Sequence, residues 1–384
     1  MRGLALLALA GLAACAAPGP GLRLERVGFD ALPGWTDDRQ DLALTAFRRS
    51  CAKRLAQPSG RALGLVGGHA GDWQPACRAA LALEGTDAAA ARVYFETWFV
   101  PYRALGPEGT AGLFTGYYEP TLAGSRRRSE RFTVPIYGRP DDLVTVDLAD
   151  FAPDLGGRRL VGRLRPGRLA PYPDRAAIEA GAVSGTAPVI AWVDDPIGAF
   201  FLQIQGSGRI RLAEGGTIRV GYAAANGRAY VSIDRVLVER GALALEQVSL
   251  QSIRAWLASH PDEADAVMAA NPSYVFFRVL SEPGPVGAEG VVLTPGRSLA
   301  VDRRQIPLGV PLWLDTEAPG EGPGAPDRRL RRLVVSQDTG GAIRGPVRGD
   351  VFWGAGARAE WVAGHMRHRG GYYLLLPRTL APAA

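Results

Sequence analysis

From residue 112 onward the chain is cut into short apolar runs bracketed by glycine, proline or polar residues, and this punctuation restricts the possible folds severely. Between Phe132 and Glu239 the runs are TVPIYG, RLVGRL, PVIAWV, FFLQIQGSGRIRL, TIRVGYA and AYVSIDRVLV. After Asn271 they are YVFFRVL, GVVLT, SLAVD, VPLWLDT, RRLVVSQD, DVFWG and YYLLLP. Short β-rich runs bounded by turn residues read as strands, and an even series of them reads as a sandwich or barrel. The 49 glycines and 29 prolines supply the turns and interrupt any long helix.

Helical periodicity appears elsewhere. DDRQDLALTAFRRSCAKRL places Leu42, Leu44, Phe47, Cys51 and Leu55 near one face, predicting a helix over Asp37–Leu55. Two more are expected over Trp73–Leu83 and Asp87–Phe99, the latter ended by Pro101. A second pair, Leu245–Leu257 and Asp262–Ala270, is separated by His260-Pro261. The expected fold class is mainly β with N-terminal helices. Residues 37–134 and 244–384 form a helical part and one barrel, and 135–243 form a second, inserted barrel. A groove between two barrels is a usual place for a ligand.

The first twenty residues, MRGLALLALAGLAACAAPGP, combine a basic Arg2 with an apolar stretch from Leu4 to Ala14. That stretch is short of the roughly 20 residues needed to span a bilayer, so residues 1–14 read as a signal peptide. Leu12-Ala13-Ala14-Cys15 resembles a bacterial lipobox, which makes Cys15 the lipidation site and residues 15–36 a tether. Ala16, where an aspartate would favour the inner membrane, points to the periplasmic face of the outer membrane. The net charge of +6 rests almost wholly on arginine, Lys53 being the one lysine. With no basic–aromatic module, nucleic acid is not an expected partner.

The remaining chemistry is carried by carboxylates. Ser207 lies between glycines, but no partner histidine makes it a nucleophile. Cys51 and Cys77 either pair in an oxidising compartment or remain buried thiols. No Cys/His group has metal-ligand spacing, so neither metal nor cofactor is expected. In SQDTGGAIRGPVRGDVFWG, Asp338 opens the triplet Asp338-Thr339-Gly340 found in aspartic proteases. Such enzymes need two carboxylates sharing a proton, and bilobal ones carry two triplets; this chain has one. Asp338 is then either a turn former or a catalytic or ligand-orienting residue. Asp350 abuts Val351, Phe352 and Trp353. Taken alone it suits a strand-initiating turn, but apolar surroundings also raise a carboxyl pKa, as a general acid requires.

Aromatic and amide residues recur between glycines: Thr115-Gly116-Tyr117-Tyr118, then Gln203 and Gln205-Gly206-Ser207-Gly208, then Tyr222 with Asn226. Together with Asp338, Thr339, Gly340 and Gly341 they would line a groove for a neutral polymer, rings stacking on sugars and amides reading hydroxyls. Ordinary barrel core and turns would explain about half of such positions.

Together these motifs resemble the membrane-bound lytic murein transglycosylase A family. The matching stretches are GLFTGYYEP, FFLQIQGSGRIRL followed by RVGYAAANGRAY, NPSYVFFR, and SLAVDRRQIPLGVPLWLDT with SQDTGGAIRGPVRGDVFWG. They cover about residues 30–378 in order. The resemblance implies a double-psi β-barrel for the C-terminal three-aspartate part, a second inserted barrel and a substrate groove between them. It places the three aspartates at Asp302, Asp338 and Asp350. Asp350 would be the catalytic acid, Asp338 a substrate-binding or organising residue, and Asp302 structural.

The implied activity is cleavage of the β-1,4 bond between N-acetylmuramic acid and N-acetylglucosamine in peptidoglycan, leaving 1,6-anhydromuramoyl ends. Implied partners are glycan strands, the outer membrane through the lipid anchor, and a cell-wall synthesis or septation complex. The alternatives are a non-catalytic peptidoglycan-binding lipoprotein and an endoglucanase-like hydrolase.

Overall fold

The computed structural model describes residues 21–380 except positions 86, 156, 157, 321 and 323. The expected signal peptide and Cys15 lie outside the described residues. The first barrel is built from Gly112–Glu119, Ser298–Val301, Pro311–Ala318, Arg328–Asp338, Arg348–Ala355 and Arg367–Pro377. Starting from Arg367–Pro377, the ladder runs through 311–318, 328–338, 298–301, 348–355 and 112–119, and then returns to 367–377, closing the sheet. Two of its pairings are parallel, 298–301 with 328–338 and 348–355 with 112–119, and the rest are antiparallel. This closed barrel with mixed pairing is consistent with the double-psi type. Phe114, Leu299, Leu312, Leu314, Val334 and Leu374 are buried in its core.

Three helices, Gln40–Leu55, Ala70–Ala82 and Ala88–Trp98, share that core, their Phe47, Trp73 and Phe95 rings meeting around Phe99 of the next strand. The third stops at Trp98, and Pro101 sits instead within the following strand, Phe99–Leu105. Residues 22–36 are not a free tether. Arg23–Arg26 adds a strand to Phe99–Leu105, and Trp35 is buried edge-on against Trp313, its indole N–H donating to Glu96 at 2.8 Å. Burying so large a ring draws the segment onto the body. Cys51 and Cys77, buried on facing helices, form a disulfide with Cα atoms 4.9 Å apart.

The second barrel contains Thr121–Ser125, Val134–Tyr137, Val189–Val193, Ser207–Leu212, Thr217–Ala225 and Val275–Leu280. A parallel bridge between Gly138 and Phe277 links its two end strands. Leu122, Ile136, Val193, Leu202, Ile210, Val220 and Phe277 fill it. Its strands run from Thr121 to Leu280, wider than the expected insert of 135–243. The first, TLAGS, has too few apolar residues to read as a strand, and the last comes from the run YVFFRVL, which pattern alone cannot assign to one barrel or the other.

Two runs expected as strands are helical. FFLQIQ lies in the helix Pro196–Gln205, where Asp195 caps the start by accepting from Gly198 N–H at 2.8 Å. Gly206, at φ 77°, ends it in the left-handed region. Asp-Pro before the run and Gly after it are helix punctuation; burial on nearly every side hid the period. SIDRVLV lies mostly in the helix Ile233–Glu239. GVVLT forms no strand, only a bridge between Val286 and Val292. A further helix, Ala357–His365, packs on the first barrel.

Candidate active site

Strand register brings two of the three aspartates together. Ala300, in the short strand Ser298–Val301, pairs with Asp350 on one side and with Asp338 on the other. The two acids therefore share one level of the barrel, two strand spacings or about 10 Å apart along the sheet. Parallel pairing also places Thr115 beside Asp350.

Each carboxylate has its own partners. Thr115 donates its hydroxyl to Asp350 Oδ1 at 2.7 Å, and Arg348 Nη2 donates to Thr115 Oγ1 at 2.9 Å. Tyr117 donates its hydroxyl to Asp338 Oδ2 at 2.8 Å. The backbone N–H groups of Ala288 and Thr339 donate to Asp338 Oδ1, both at 2.9 Å. Thr115 and Tyr117 are two apart on one strand, so they point to the same face and meet successive acids. No hydrogen bond joins Asp338 to Asp350, so the arrangement is not the proton-sharing pair of an aspartic protease.

Beneath the acids lies a buried apolar floor of Tyr117, Leu293, Ala300, Ile343 and Phe352. Burial against it pushes Asp350 up to about 6, although Arg348 and the Thr115 hydroxyl favour the charged form. Asp338 is also raised by burial, which its two backbone N–H donors and Tyr117 offset in part. Asp302 differs. Burial pushes it up, but the Arg304 guanidinium and the Gly345 and Arg304 N–H groups outweigh this and hold it below the usual carboxylate range. It is nearly inaccessible and ties the turn after its strand to the loop before Arg348.

The other expected site residues separate into groups. Thr339 donates its hydroxyl to Val301 C=O at 3.0 Å, fastening the turn that carries Asp338. Gly340 and Gly341 continue that turn, and a side chain at Gly341 would come within 3.8 Å of Tyr230 from the second barrel's side. Gly116 serves packing: a Cβ there would lie 2.7 Å from the Trp353 ring and 2.9 Å from Ala363 Cα. Gly208 is similarly filled by Leu202 and Pro120. Tyr118 is buried against Ala359 and Ala363, and its N–H donates to Gln205 Oε1 at 3.0 Å, tying the second barrel's helix to the first barrel.

Gln203 and Asn226 are buried and occupied. Gln203 Oε1 accepts from Arg175 at 2.9 Å. Asn226 donates to Pro173 and Pro272 carbonyls and accepts from Tyr274 N–H, all at 2.9 Å. Ser207 is buried at the start of its strand, Gly206 is a helix cap with open space around it, and Tyr222 is exposed. Arg348, Ala288 and Tyr230 are site neighbours that pattern reading missed. Only Arg348 carried a signal, standing two residues before Asp350 on the same face of a strand.

The fold and the site define a class: a two-barrel protein with a raised, half-buried carboxyl at a barrel rim, a second carboxyl beside it, and no metal-ligating cluster among the described residues. Residues 113–278 match the MltA specific insert domain, and 297–376 match the 3D domain. The chain is 33% identical over 264 residues to the membrane-bound lytic murein transglycosylase A of Vibrio cholerae, a match covering 67% of this chain and 63% of that relative. It thus spans less than two thirds of that relative's length. The crystal structure of a membrane-bound lytic murein transglycosylase from Agrobacterium tumefaciens superposes with a TM-score of 0.82 at 36% identity, covering 93% of this chain and 98% of that one. The structure of E. coli MltA with bound chitohexaose superposes with a TM-score of 0.66 at 27% identity, covering 94% and 95%. The chain belongs to the MltA family of membrane-bound lytic murein transglycosylases.

Proposed function

We propose that the protein is a lytic transglycosylase that cleaves the β-1,4 bond between N-acetylmuramic acid and N-acetylglucosamine in peptidoglycan. The observation that carries this reading is Asp350, half-buried over an apolar floor that pushes its carboxyl up to about 6 and backed by Thr115 and Arg348, which favour its anion. A group balanced in this way can donate and then accept a proton. The family relationship and a relative's complex with chitohexaose, a β-1,4 glycan, support a saccharide in the groove.

In the proposed reaction Asp350 gives its proton to the glycosidic oxygen as the bond to muramic C1 breaks. The ring passes through an oxocarbenium-like state. The same residue's C6 hydroxyl attacks C1 and returns its proton to Asp350. Atoms balance without water, and the catalyst ends protonated as it began. Because the nucleophile is already tethered, no second carboxylate has to activate water. Asp338, held by Tyr117 and two backbone N–H groups, is assigned to orienting the sugar.

Product mass tests this reading. Digestion of purified peptidoglycan is expected to release muropeptides lighter by one water than hydrolase products. Hydrated products would identify a hydrolase instead, and intact glycan a binding protein. The pH profile has a definite sign. The acid must be protonated, so kcat/KM is expected to be flat below about pH 6 and to fall roughly tenfold per unit above it. Thr115→Val, which removes a hydrogen bond to the anion, is expected to move that fall to higher pH; an unmoved profile would argue against Asp350 as its source.

The lipobox reading makes the protein an outer-membrane lipoprotein facing the periplasm, working with glycan strands and a cell-wall synthesis or septation complex. A Cys15→Ala chain is then expected to lose acyl labelling and membrane fractionation. Continued labelling would refute Cys15 as the anchor.

A further inference from the structure

The Ala288 N–H that steadies Asp338 comes from the connection between the strands Val275–Leu280 and Ser298–Val301, which contains neither helix nor strand. Such a segment keeps its course only through the bonds its own residues make. Glu289, the next residue, is an acid that no step of the proposed reaction uses, yet it is only 9% exposed. Its Oε2 accepts the Ser50 hydroxyl at 2.6 Å, and its N–H donates to Gln337 C=O at 3.0 Å. Neighbouring residues of the connection therefore grip neighbouring residues of the strand Arg328–Asp338: Ala288 holds Asp338, and Glu289 holds Gln337.

Behind this grip lies a buried polar network. Gln337 Oε1 accepts from the Ser298 hydroxyl at 2.6 Å, and its Nε2 donates to Ala46 C=O and to Ser50 Oγ, both at 2.9 Å. Ser50 thus joins Glu289 to Gln337 from the helix Gln40–Leu55, which packs in the first barrel's core. The space around the connection is already filled. A Cβ at Gly287 would lie 2.4 Å from Gln337 O, and one at Gly309 would lie 2.6 Å from Glu289 Oε1. Burying a carboxyl costs free energy, and burial pushes Glu289 up to about 7 against the opposing pull of Ser50, Arg54 and Lys53. An apolar side chain would fill the same space, but apolar contact is non-directional. A hydrogen bond fixes distance and angle, so the Glu289–Ser50 bond sets how deep the connection sits and where the Ala288 N–H points.

We propose that Glu289 is a positioning residue for the cleavage reaction, holding Ala288 so that its N–H fixes the Asp338 carboxylate against the sugar. This rests on the assignment of Asp338 to orienting the sugar. The test is steady-state cleavage of soluble peptidoglycan glycan, at a temperature where circular dichroism shows every variant folded. Glu289→Ala is expected to raise KM about fivefold or more while kcat stays within about twofold, the mark of lost binding rather than lost chemistry. Glu289→Gln keeps an oxygen for Ser50 and is expected to restore KM to within about twofold of the parent. Ser50→Ala is expected to raise KM in the same direction, and adding Glu289→Ala to it should do no further harm, because both remove one bond. A Glu289→Ala chain that melts earlier but keeps the parental KM would assign the residue to stability alone and overturn the proposal. Equal losses in Glu289→Ala and Glu289→Gln would overturn it too. Asp338→Asn separates the two levels. If it leaves KM unmoved, Asp338 does not orient the sugar and both readings fall; if it raises KM and Glu289→Ala does not, the Glu289 reading falls by itself.

Discussion

Asp350→Asn is expected to lower glycan cleavage by about a thousandfold or more, because the amide cannot give up a proton to the leaving oxygen. Cosedimentation with insoluble peptidoglycan should persist, since Asn keeps an oxygen for the Thr115 hydroxyl. The substitution also makes a stability prediction of the opposite sign. Burial raises Asp350 from its ordinary value to about 6, so folding becomes costlier as pH rises through the window from about 4 to 6. The neutral amide removes that cost. The variant should therefore unfold at a higher temperature than the parent at pH 7, with the gap closing as pH falls to 4. A variant retaining a tenth of the parental rate would end the assignment of Asp350 as the acid. An unchanged gap across the pH range would mean that the Asp350 carboxyl is not raised in the folded protein.

The second large effect concerns Arg175, which is almost fully buried. Its guanidinium donates to the Asn271 and Ser273 carbonyls at 3.0 and 2.7 Å, to Gln203 Oε1 at 2.9 Å and to Glu179 at 3.1 Å. Its carbon lies 4.6 Å from the centre of the Phe200 ring and 5.3 Å from that of Tyr274. The group thus clamps the helix Pro196–Gln205 to the segment that leads into the strand Val275–Leu280. Arg175→Met removes the charge but strands buried acceptors, a loss of about 3 kcal/mol or more. Arg175→Lys should recover little, because a single ammonium cannot reproduce the planar fork of donors. Urea unfolding is the measurement; a midpoint within error of the parent for Arg175→Met would show that the clamp is dispensable.

Arg175 also shows where pattern reading stops. One arginine among many in a chain rich in them carries no mark in the sequence, and its partners lie up to 98 residues away. The helix Pro196–Gln205 was obscured for a related reason: burial on nearly every side leaves no polar face, so no period appears. Asn226 and Gln203 looked like ligand-reading amides, yet the fold uses both to satisfy buried groups. An amide is equally suited to either task, and only its surroundings distinguish them.

What depends on neighbours in sequence was legible. The punctuated strands, the helices covering Cys51 and Cys77, and the motif carrying Asp350 beside Val351, Phe352 and Trp353 could all be read along the chain. Alternation and capping are local properties, governed by a few adjacent residues. What depends on pairing across the chain was not. The register of Ala300 with both Asp338 and Asp350, the Thr115 and Arg348 support for one of them, and the disulfide choice came from strands and helices packed together in space. The raised Asp350 belongs to both levels. Its apolar neighbours in sequence suggested desolvation, but the floor formed by Tyr117, Leu293 and Ile343 comes from distant segments and completes it.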